Sequence, residues 1–413
     1  MRTDLELFAA ASPGLEPFVR EELESLAVRD PQAEPGGIGF RGSLEEIARI
    51  NRNCKTALFV SWVLGRFRAR RFPELLRKAR ALPWASVVAP GYPIEVRASC
   101  RRSRLIHGKA VAERVEEAIS AQVPGASVGR NTERSDEEPL RVRVRFEDDE
   151  ARISVDTSGR PLPQRCPGWE TAHAPLRADI AQVMFRLGGR DAPCVLDPLC
   201  GSGTLPIEAA CTAATTFAVR SYAFEAFPAW REARVAEPGV PASKTPGRFP
   251  AALSRPTPSP SQALALPHPS AAGGTGLEDA RFRGADRDSD AVAAATRNAA
   301  RAGVSVRFDV ASLSETLDPA TLPRAGLLMT NPPYGQRLSA ARDLTPLYRA
   351  LGDGVRRLGA GWRVVLVAPD PRWARATGLP LRRCATADHG GRRVSLWVSE
   401  HWAAGLNLPA SGS

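Results

Sequence analysis

Two rhythms of apolar and polar positions divide the chain. In the first, apolar stretches of strand length alternate with amphipathic stretches of helical period. Leu5–Ala9 predicts a strand, Ser12-Pro13-Gly14 turns into a helix running to about Leu26, and Ile38–Gly42 predicts a second strand. Ser43 with Glu46 has the spacing of a capping box, so a helix starts there. Lys55–Phe67, rich in Val, Leu, Phe and Trp, predicts a long strand. A second unit follows, with a helix at Phe72–Ala81, a strand at Pro93–Ala98 and a long helix from Ser103 to Gln122. That helix carries Ile106, Val111, Val115 and Ile119 on one side. Leu140–Glu147 alternates apolar residues with Arg141, Arg143 and Arg145, the pattern of a half-exposed basic strand. Ile153–Val155 closes the unit.

From Ala174 the rhythm changes to apolar strands separated by helices: Cys194–Leu196, Arg281–Gly284, Val304–Phe308, Gly326–Thr330 and Trp362–Ala368. This alternation predicts βα units and a mostly parallel sheet. Two apolar runs around Gly390-Gly391, within Leu379–Ser399, predict a terminal antiparallel hairpin. Pro238–Pro269 interrupts the pattern with nine prolines in 32 residues. Such a stretch buries too little apolar surface to order itself, and is expected to be a surface insertion.

Length and composition narrow the picture. A chain of 413 residues with 43% hydrophobic content supports about two or three domains. No apolar run reaches the roughly 18 residues of a membrane span, and acids at Asp4 and Glu6 stand where a signal peptide would be basic. A cytoplasmic protein is expected. The net charge of +11 suits a polyanionic partner. The bland alternative is coding bias, since Lys55, Lys78, Lys109 and Lys244 are the only lysines among 56 basic residues. The seven cysteines show no C-x-x-C pair, so reduced thiols and no metal are expected.

Four fragments carry chemistry, each following a predicted strand. Asp197-Pro198-Leu199-Cys200-Gly201-Ser202-Gly203-Thr204 opens a helix, and its glycines allow close backbone approach to a ligand. A plain strand-to-helix turn would use the same residues. Gly284-Ala285-Asp286-Arg287-Asp288 places an acid where a ribose diol can donate to it, with Asp288 the better helix cap and Asp286 the better ribose acceptor. Phe308-Asp309 offers an acceptor for an adenine amino group. Thr330-Asn331-Pro332-Pro333-Tyr334-Gly335 is the most specific. Its prolines fix the backbone, the Asn331 side-chain oxygen and the Pro332 carbonyl can each accept an N–H of one amine, and Tyr334 can stack on a flipped base.

Together these fragments resemble the motifs of class I S-adenosylmethionine (SAM)-dependent amino-methyltransferases. The chain is most similar to the bacterial THUMP-domain guanine-N2 methyltransferases of large-subunit ribosomal RNA. Arg102-Ser103-Arg104-Leu105-Ile106-His107, Val155-Asp156-Thr157-Ser158-Gly159, Ala174-Pro175-Leu176-Arg177 and Arg220–Trp230 also resemble that family, whereas Pro161–Trp169 and Ala178 depart from its pattern. The resemblance implies an α/β fold class: a Rossmann-like seven-stranded methyltransferase domain preceded by an α+β ferredoxin-like/THUMP module. The implied boundaries are a ferredoxin-like domain at 1–66, a THUMP-like RNA-binding domain at 67–157, a linker at 158–172 and a methyltransferase domain at 173–405, with an insertion at 233–277. It implies SAM as cofactor, held by Asp197, Pro198, Gly201, Gly203, Thr204, Asp286 and Asp309, with Asn331, Pro332, Pro333 and Tyr334 at the target amine. RNA is the implied partner, 23S ribosomal RNA in the first instance. Arg101, Arg102, Arg104 and Lys109 around a helix start, with Arg141, Arg143 and Arg145, are the expected phosphate contacts. Transfer RNA guanine, adenine N6 in DNA, a protein glutamine amide, or RNA binding without catalysis are the alternatives left open.

Overall fold

The computed structural model describes residues 4–128, 138–163, 169–170, 176–214, 220–235, 280–334 and 343–400. The proline-rich stretch, Ala174-Pro175, residues 164–168 of the linker and Gly335 lie outside the described residues. So does nearly all of the expected insertion at 233–277, of which only 233–235 are described.

The first rhythm builds one mixed sheet. Its strands are β1 (Leu5–Ala10), β2 (Gln32–Glu34), β3 (Gly37–Gly42), β4 (Phe59–Arg68), β5 (Pro93–Arg101), β6 (Ser127–Val128), β7 (Leu140–Glu147) and β8 (Glu150–Asp156). They lie in the order β2-β3-β1-β4-β8-β7-β5-β6. The helices α1 (Glu16–Ser25), α2 (Leu44–Asn53), α3 (Phe72–Arg80) and α4 (Gly108–Gln122) connect them. Strand β4 pairs with β1 on one side and β8 on the other, so the expected boundary at 66/67 falls inside a strand that joins both units. The capping box forms as read: the Ser43 hydroxyl accepts from Glu46 N at 3.2 Å and Glu46 accepts from Ser43 N at 2.8 Å. Helix α4 starts later than expected. Ile106 therefore precedes it and is 66% exposed, while Val111, Val115 and Ile119 are buried in the core as read.

The second rhythm builds the other half of the molecule. It comprises α5 (Ala178–Gly188), β9 (Val195–Asp197), α6 (Thr204–Ala213), α7 (Pro228–Val235), β10 (Phe282–Asp286), α8 (Ser289–Ala302), β11 (Arg307–Val310), α9 (Leu313–Thr316), β12 (Gly326–Thr330), α10 (Thr345–Leu358), β13 (Trp362–Ala368), α11 (Pro371–Ala376), β14 (Leu381–His389) and β15 (Arg392–Ser399). The strand order is β11-β10-β9-β12-β13-β15-β14, parallel from β11 to β13, with β15 antiparallel to both of its neighbours. The hairpin turns at Gly390-Gly391, both at positive φ. The chain runs outward from β9 through β10 to β11, then returns to place β12 on the other side of β9. That reversal is a topological switch point, where open α/β sheets leave a crevice beyond the carboxyl ends of their strands.

The halves exchange apolar anchors. Leu15 and Phe18 of the first half pack with Leu176, Ile180 and Met184. Tyr222, Phe224 and Phe227 of the second half pack in the core of the first sheet. Phe224 N–H donates to the Thr157 carbonyl at 3.0 Å. At the same seam, buried Asp179 accepts from Arg177 at 2.8 Å and from the Ser12 hydroxyl. No helix among the described residues is long and apolar enough to cross a membrane.

Candidate active site

Strand register brings the four fragments to one edge. Gly284 of β10 stands opposite Asp197 of β9, and Ala285 opposite Asp309 of β11. On the other side of β9, Leu328 of β12 stands opposite Leu196. Continuing both registers puts Asp286 and Asn331 each two residues beyond the level of Asp197. The acids and the Asn-Pro-Pro-Tyr segment thus flank the crevice at the switch point.

The loop after β9 is tied to β10 by backbone bonds. Cys200 N–H donates to the Ala285 carbonyl at 2.9 Å, and Gly201 N–H donates to Asp286 Oδ2 at 3.0 Å. Asp286 Oδ1 accepts from Asp288 N–H at 3.1 Å. Each carboxylate oxygen keeps a lone pair for a further donor. Asp288 caps α8, accepting from Asp290 N and Ala291 N, as its position predicts. Gly203 caps α6 at φ +83°, and a Cβ there would lie 2.8 Å from the Phe308 ring and 2.9 Å from Ala295. Its glycine is demanded by packing and backbone conformation alone. Gly201 also has positive φ, while Pro198 and Thr204 are buried. Asp309 is half-exposed and paired with Arg307 at 2.9 Å.

Asp197 is buried with one backbone donor, Leu199 N–H at 3.1 Å. Burial pushes its carboxyl up to about 7, against that hydrogen bond and one from the Thr330 hydroxyl, and the nearby Asp286 adds to the rise.

Asn331 Oδ1, just past the end of β12, is buried and has no hydrogen-bond partner among the described residues, whereas the neighbouring Thr330 hydroxyl lies against the Asp197 carboxyl. A buried acceptor left unpaired costs about 1–3 kcal/mol, and in a native structure it calls for a ligand or another explanation. Pro332 is buried and Pro333 exposed. The Tyr348 hydroxyl donates to the Pro333 carbonyl at 3.4 Å, bracing the segment from α10. Tyr334 is half-buried against the hydrophobic core around α5 and the parallel strands, and burial pushes its phenol up to about 12, so it stays protonated at neutral pH.

Sequence reasoning passed over Asn298. It sits fully buried on the alanine-lined face of α8. Its Nδ2 donates to the Ser202 carbonyl at 3.0 Å and to the Glu170 carbonyl at 2.9 Å, and its Oδ1 accepts from Glu170 N–H at 2.9 Å. It therefore clasps the glycine loop and the inter-half segment to one helix. The Glu170 side chain is held down to about 2 by Arg297 and Arg301. A polar residue in an apolar helical stripe was the available signal.

The expected phosphate contacts of the first half divide into two groups. Arg102 bonds Asp148 at 3.0 Å and Glu147 at 2.8 Å. Arg143 pairs with buried Asp156 at 2.8 Å and lies over the Phe59 ring at 3.6 Å. Arg145 pairs with Glu147 at 3.0 Å, and Arg141 donates to the Gly159 carbonyl. Arg101, Arg104 and Lys109 are exposed, and their side chains form no ion pair among the described residues.

Residues 168–392, more than half of the chain, match the RMKL-like methyltransferase domain, and residues 6–60 match the RlmL ferredoxin-like domain. The chain is 29% identical to the ribosomal RNA large subunit methyltransferase K/L of Syntrophotalea carbinolica, covering 99% of this chain and 56% of that protein. It is also 29% identical to the enzyme of that name from Methylococcus capsulatus, covering 98% of this chain and 53% of that protein. It thus spans about half the length of these curated relatives. The crystal structure of SMU.472 complexed with SAH superposes with a TM-score of 0.73 at 25% identity, covering 97% of this chain and 98% of that one.

Proposed function

The chain belongs to the RMKL-like methyltransferase domain family, and on that basis we propose that it transfers a methyl group from SAM to the exocyclic N2 amine of a guanine in large-subunit ribosomal RNA. The observation that carries this reading is Asn331 Oδ1 at the switch-point crevice, buried and without a hydrogen-bond partner among the described residues. An acceptor so placed suits an N–H donor delivered by a substrate.

The residues fit the cofactor. Asp286 has lone pairs for a ribose diol, the Asp197–Thr204 loop offers the close backbone approach of a nucleotide site, and Asp309 stands one strand over. When bound, SAM supplies an electrophilic methyl group on a sulfonium. The chain supplies the rest. Asn331 Oδ1 and the Pro332 carbonyl each accept one N–H of the amine, which localises the nitrogen lone pair toward the methyl. The Pro332-Pro333 backbone, braced by Tyr348, holds those acceptors in place before the substrate arrives. Tyr334, neutral and half-buried, offers a ring face to an extruded base. Arg101, Arg104 and Lys109 remain the first-half candidates for phosphate contact. An rRNA substrate would set this work in the cytoplasm.

The test is to incubate the chain with labelled SAM and large-subunit rRNA, transfer RNA or DNA, then digest each product to nucleosides. N2-methylguanosine from large-subunit rRNA is expected. N6-methyladenosine, or label only in transfer RNA or DNA, would overturn the assignment.

A further inference from the structure

An open cleft of about 650 Å³ separates α10 from α11 on the second half. Arg349 and Arg356 of α10 face Arg372 and Arg375 of α11 across it, with Asp343 and Asp353 on the same walls. Four guanidinium groups therefore meet two carboxylates. Part of that charge is committed to the fold. Arg356 binds Asp353 and the carbonyls of Thr377 and Gly378, the latter two at 3.1 Å. Asp343 accepts from Thr345 N–H at 2.9 Å at the start of α10. Arg372 lies over the Trp373 ring at 4.5 Å, with Asp370 at 3.4 Å. Arg349 and Arg375 are exposed, and their side chains make no hydrogen bond or ion pair among the described residues.

The cleft is joined to the catalytic edge by packed groups. Trp373, on its wall, stacks on Tyr348 at 5.0 Å and 20°. The Tyr348 hydroxyl reaches the Pro333 carbonyl beside the candidate amine site. Helix α10 runs away from the carboxyl edge of the sheet, so its arginines lead outward from that edge.

We propose that this cleft binds the phosphodiester backbone of the RNA strand that presents the target base. The proposal rests on the RNA-methyltransferase reading. Guanidinium forks match phosphate oxygens in paired hydrogen bonds. Arg349, drawn only at longer range toward Asp343, and Arg375 make no hydrogen bond or ion pair among the described residues and can form a backbone track along the open cleft, and the Arg372 guanidinium over Trp373 adds a surface for a neighbouring base. An extruded base needs its flanking phosphates held, because unstacking otherwise lets it swing back. This track does so on the same half as the candidate amine site, linked to it through Trp373 and Tyr348.

The test uses the full chain, in-vitro-transcribed large-subunit rRNA and the double variants Arg349→Ala/Arg375→Ala and Arg349→Lys/Arg375→Lys. RNA binding is measured across a salt series, alongside methylation kinetics and SAM affinity. For the alanine pair, the slope of log affinity against log salt should flatten by about 2, and KM for RNA should rise on the order of tenfold. Its kcat and SAM affinity should hold. The lysine pair should recover the slope, because it keeps the charge. A native slope and KM in the alanine pair would overturn the cleft assignment alone. Equal losses of SAM affinity in both pairs would overturn it as well, by showing that the arginines serve the fold. If the unaltered chain transfers no methyl to RNA, the functional reading falls and the cleft assignment with it.

Discussion

Glu22 and Asp197, buried carboxylates of the first and second halves, are treated in opposite ways. Glu22, on α1, accepts from Lys55 N at 3.0 Å, Thr56 N at 2.8 Å, the Thr56 hydroxyl at 2.5 Å and the Cys54 thiol at 3.3 Å. Burial raises its pKa, but the Thr56 and Lys55 hydrogen bonds and Arg186 outweigh that, and the carboxyl is held below its usual range. Asp197, at the switch point, has one backbone donor and rises to about 7. The same contrast separates the arginines of β7, which find acceptors within the fold, from Arg349 and Arg375, whose side chains make no hydrogen bond or ion pair among the described residues. A polar group with all of its bonds made holds structure together. A polar group left short of partners at a strand end or in a cleft is available for a ligand, and it is sustained by the rest of the fold.

The largest effect should come from Asn331→Ala. Loss of one preorganised polar group facing a transition state typically costs about 10²–10³ in rate. We expect that loss in single-turnover methylation, with SAM affinity unchanged. The variant's melting temperature should not fall, because the substitution removes an unsatisfied buried atom. Turnover within a few-fold of the native chain would break the link between missing partners and function.

The two carboxylates should respond to pH with opposite signs. Between about pH 4 and 7 the folded chain keeps a proton on Asp197 that the unfolded chain gives up, so this group's contribution to stability declines as pH rises through that window. Asp197→Asn should therefore match the native chain near pH 4 and become the more stable protein by pH 8, by at most roughly 4 kcal/mol. Glu22 has a lowered pKa, so its stabilisation is present above the usual carboxylate range and is lost as pH falls. Glu22→Gln should be less stable than the native chain at neutral pH, with the gap closing on acidification. Urea titrations of the cofactor-free proteins across this range decide both. Parallel pH profiles for the two variants would show that partner supply does not distinguish the sites.

The sequence displayed local patterns well and long-range ones poorly. Buried parallel strands are continuous apolar runs, so β12 and β13 were legible to the residue. The capping box at Ser43 and the hairpin at Gly390-Gly391 are local chemistry and read as cleanly. Strand β11 formed at Arg307–Val310, three residues beyond the start of the apolar Val304–Phe308 run, because an edge strand needs no continuous apolar face. The short β2 escaped notice for a similar reason: Gln32–Glu34 borders the sheet and has no apolar signature. At the candidate site, the motifs named the acids and Asn331. The Asn298 clasp spans 128 residues to Glu170, and the stack of Trp373 on Tyr348 appears only in the fold. An alternating Val/Arg strand looks the same in sequence whether its arginines face RNA or an internal acid.

That last ambiguity yields the smallest and most diagnostic prediction. Arg143 pairs with Asp156, whose side chain is 1% exposed, and covers the Phe59 ring. Breaking a buried pair can cost about 3–5 kcal/mol when a charge is left bare. Asp156 would not be bare, because its other oxygen accepts from Ser158 N at 2.8 Å and Gly159 N at 3.2 Å. Arg143 is itself about one third exposed, so water screens the pair. Arg143→Ala should therefore cost about 1–2 kcal/mol of stability, visible as a lower melting temperature, with the salt slope of RNA binding unchanged. Replacing Arg104, whose side chain is exposed and forms no ion pair among the described residues, should do the reverse: little change in melting and a slope flatter by about 1. If Arg143→Ala instead flattens the salt slope and leaves the melting temperature alone, the arginine exchanges Asp156 for phosphate when RNA binds. The division between satisfied and available groups would then have to be drawn on the complex, because in that case the free chain would conceal its contacts inside its own ion pairs.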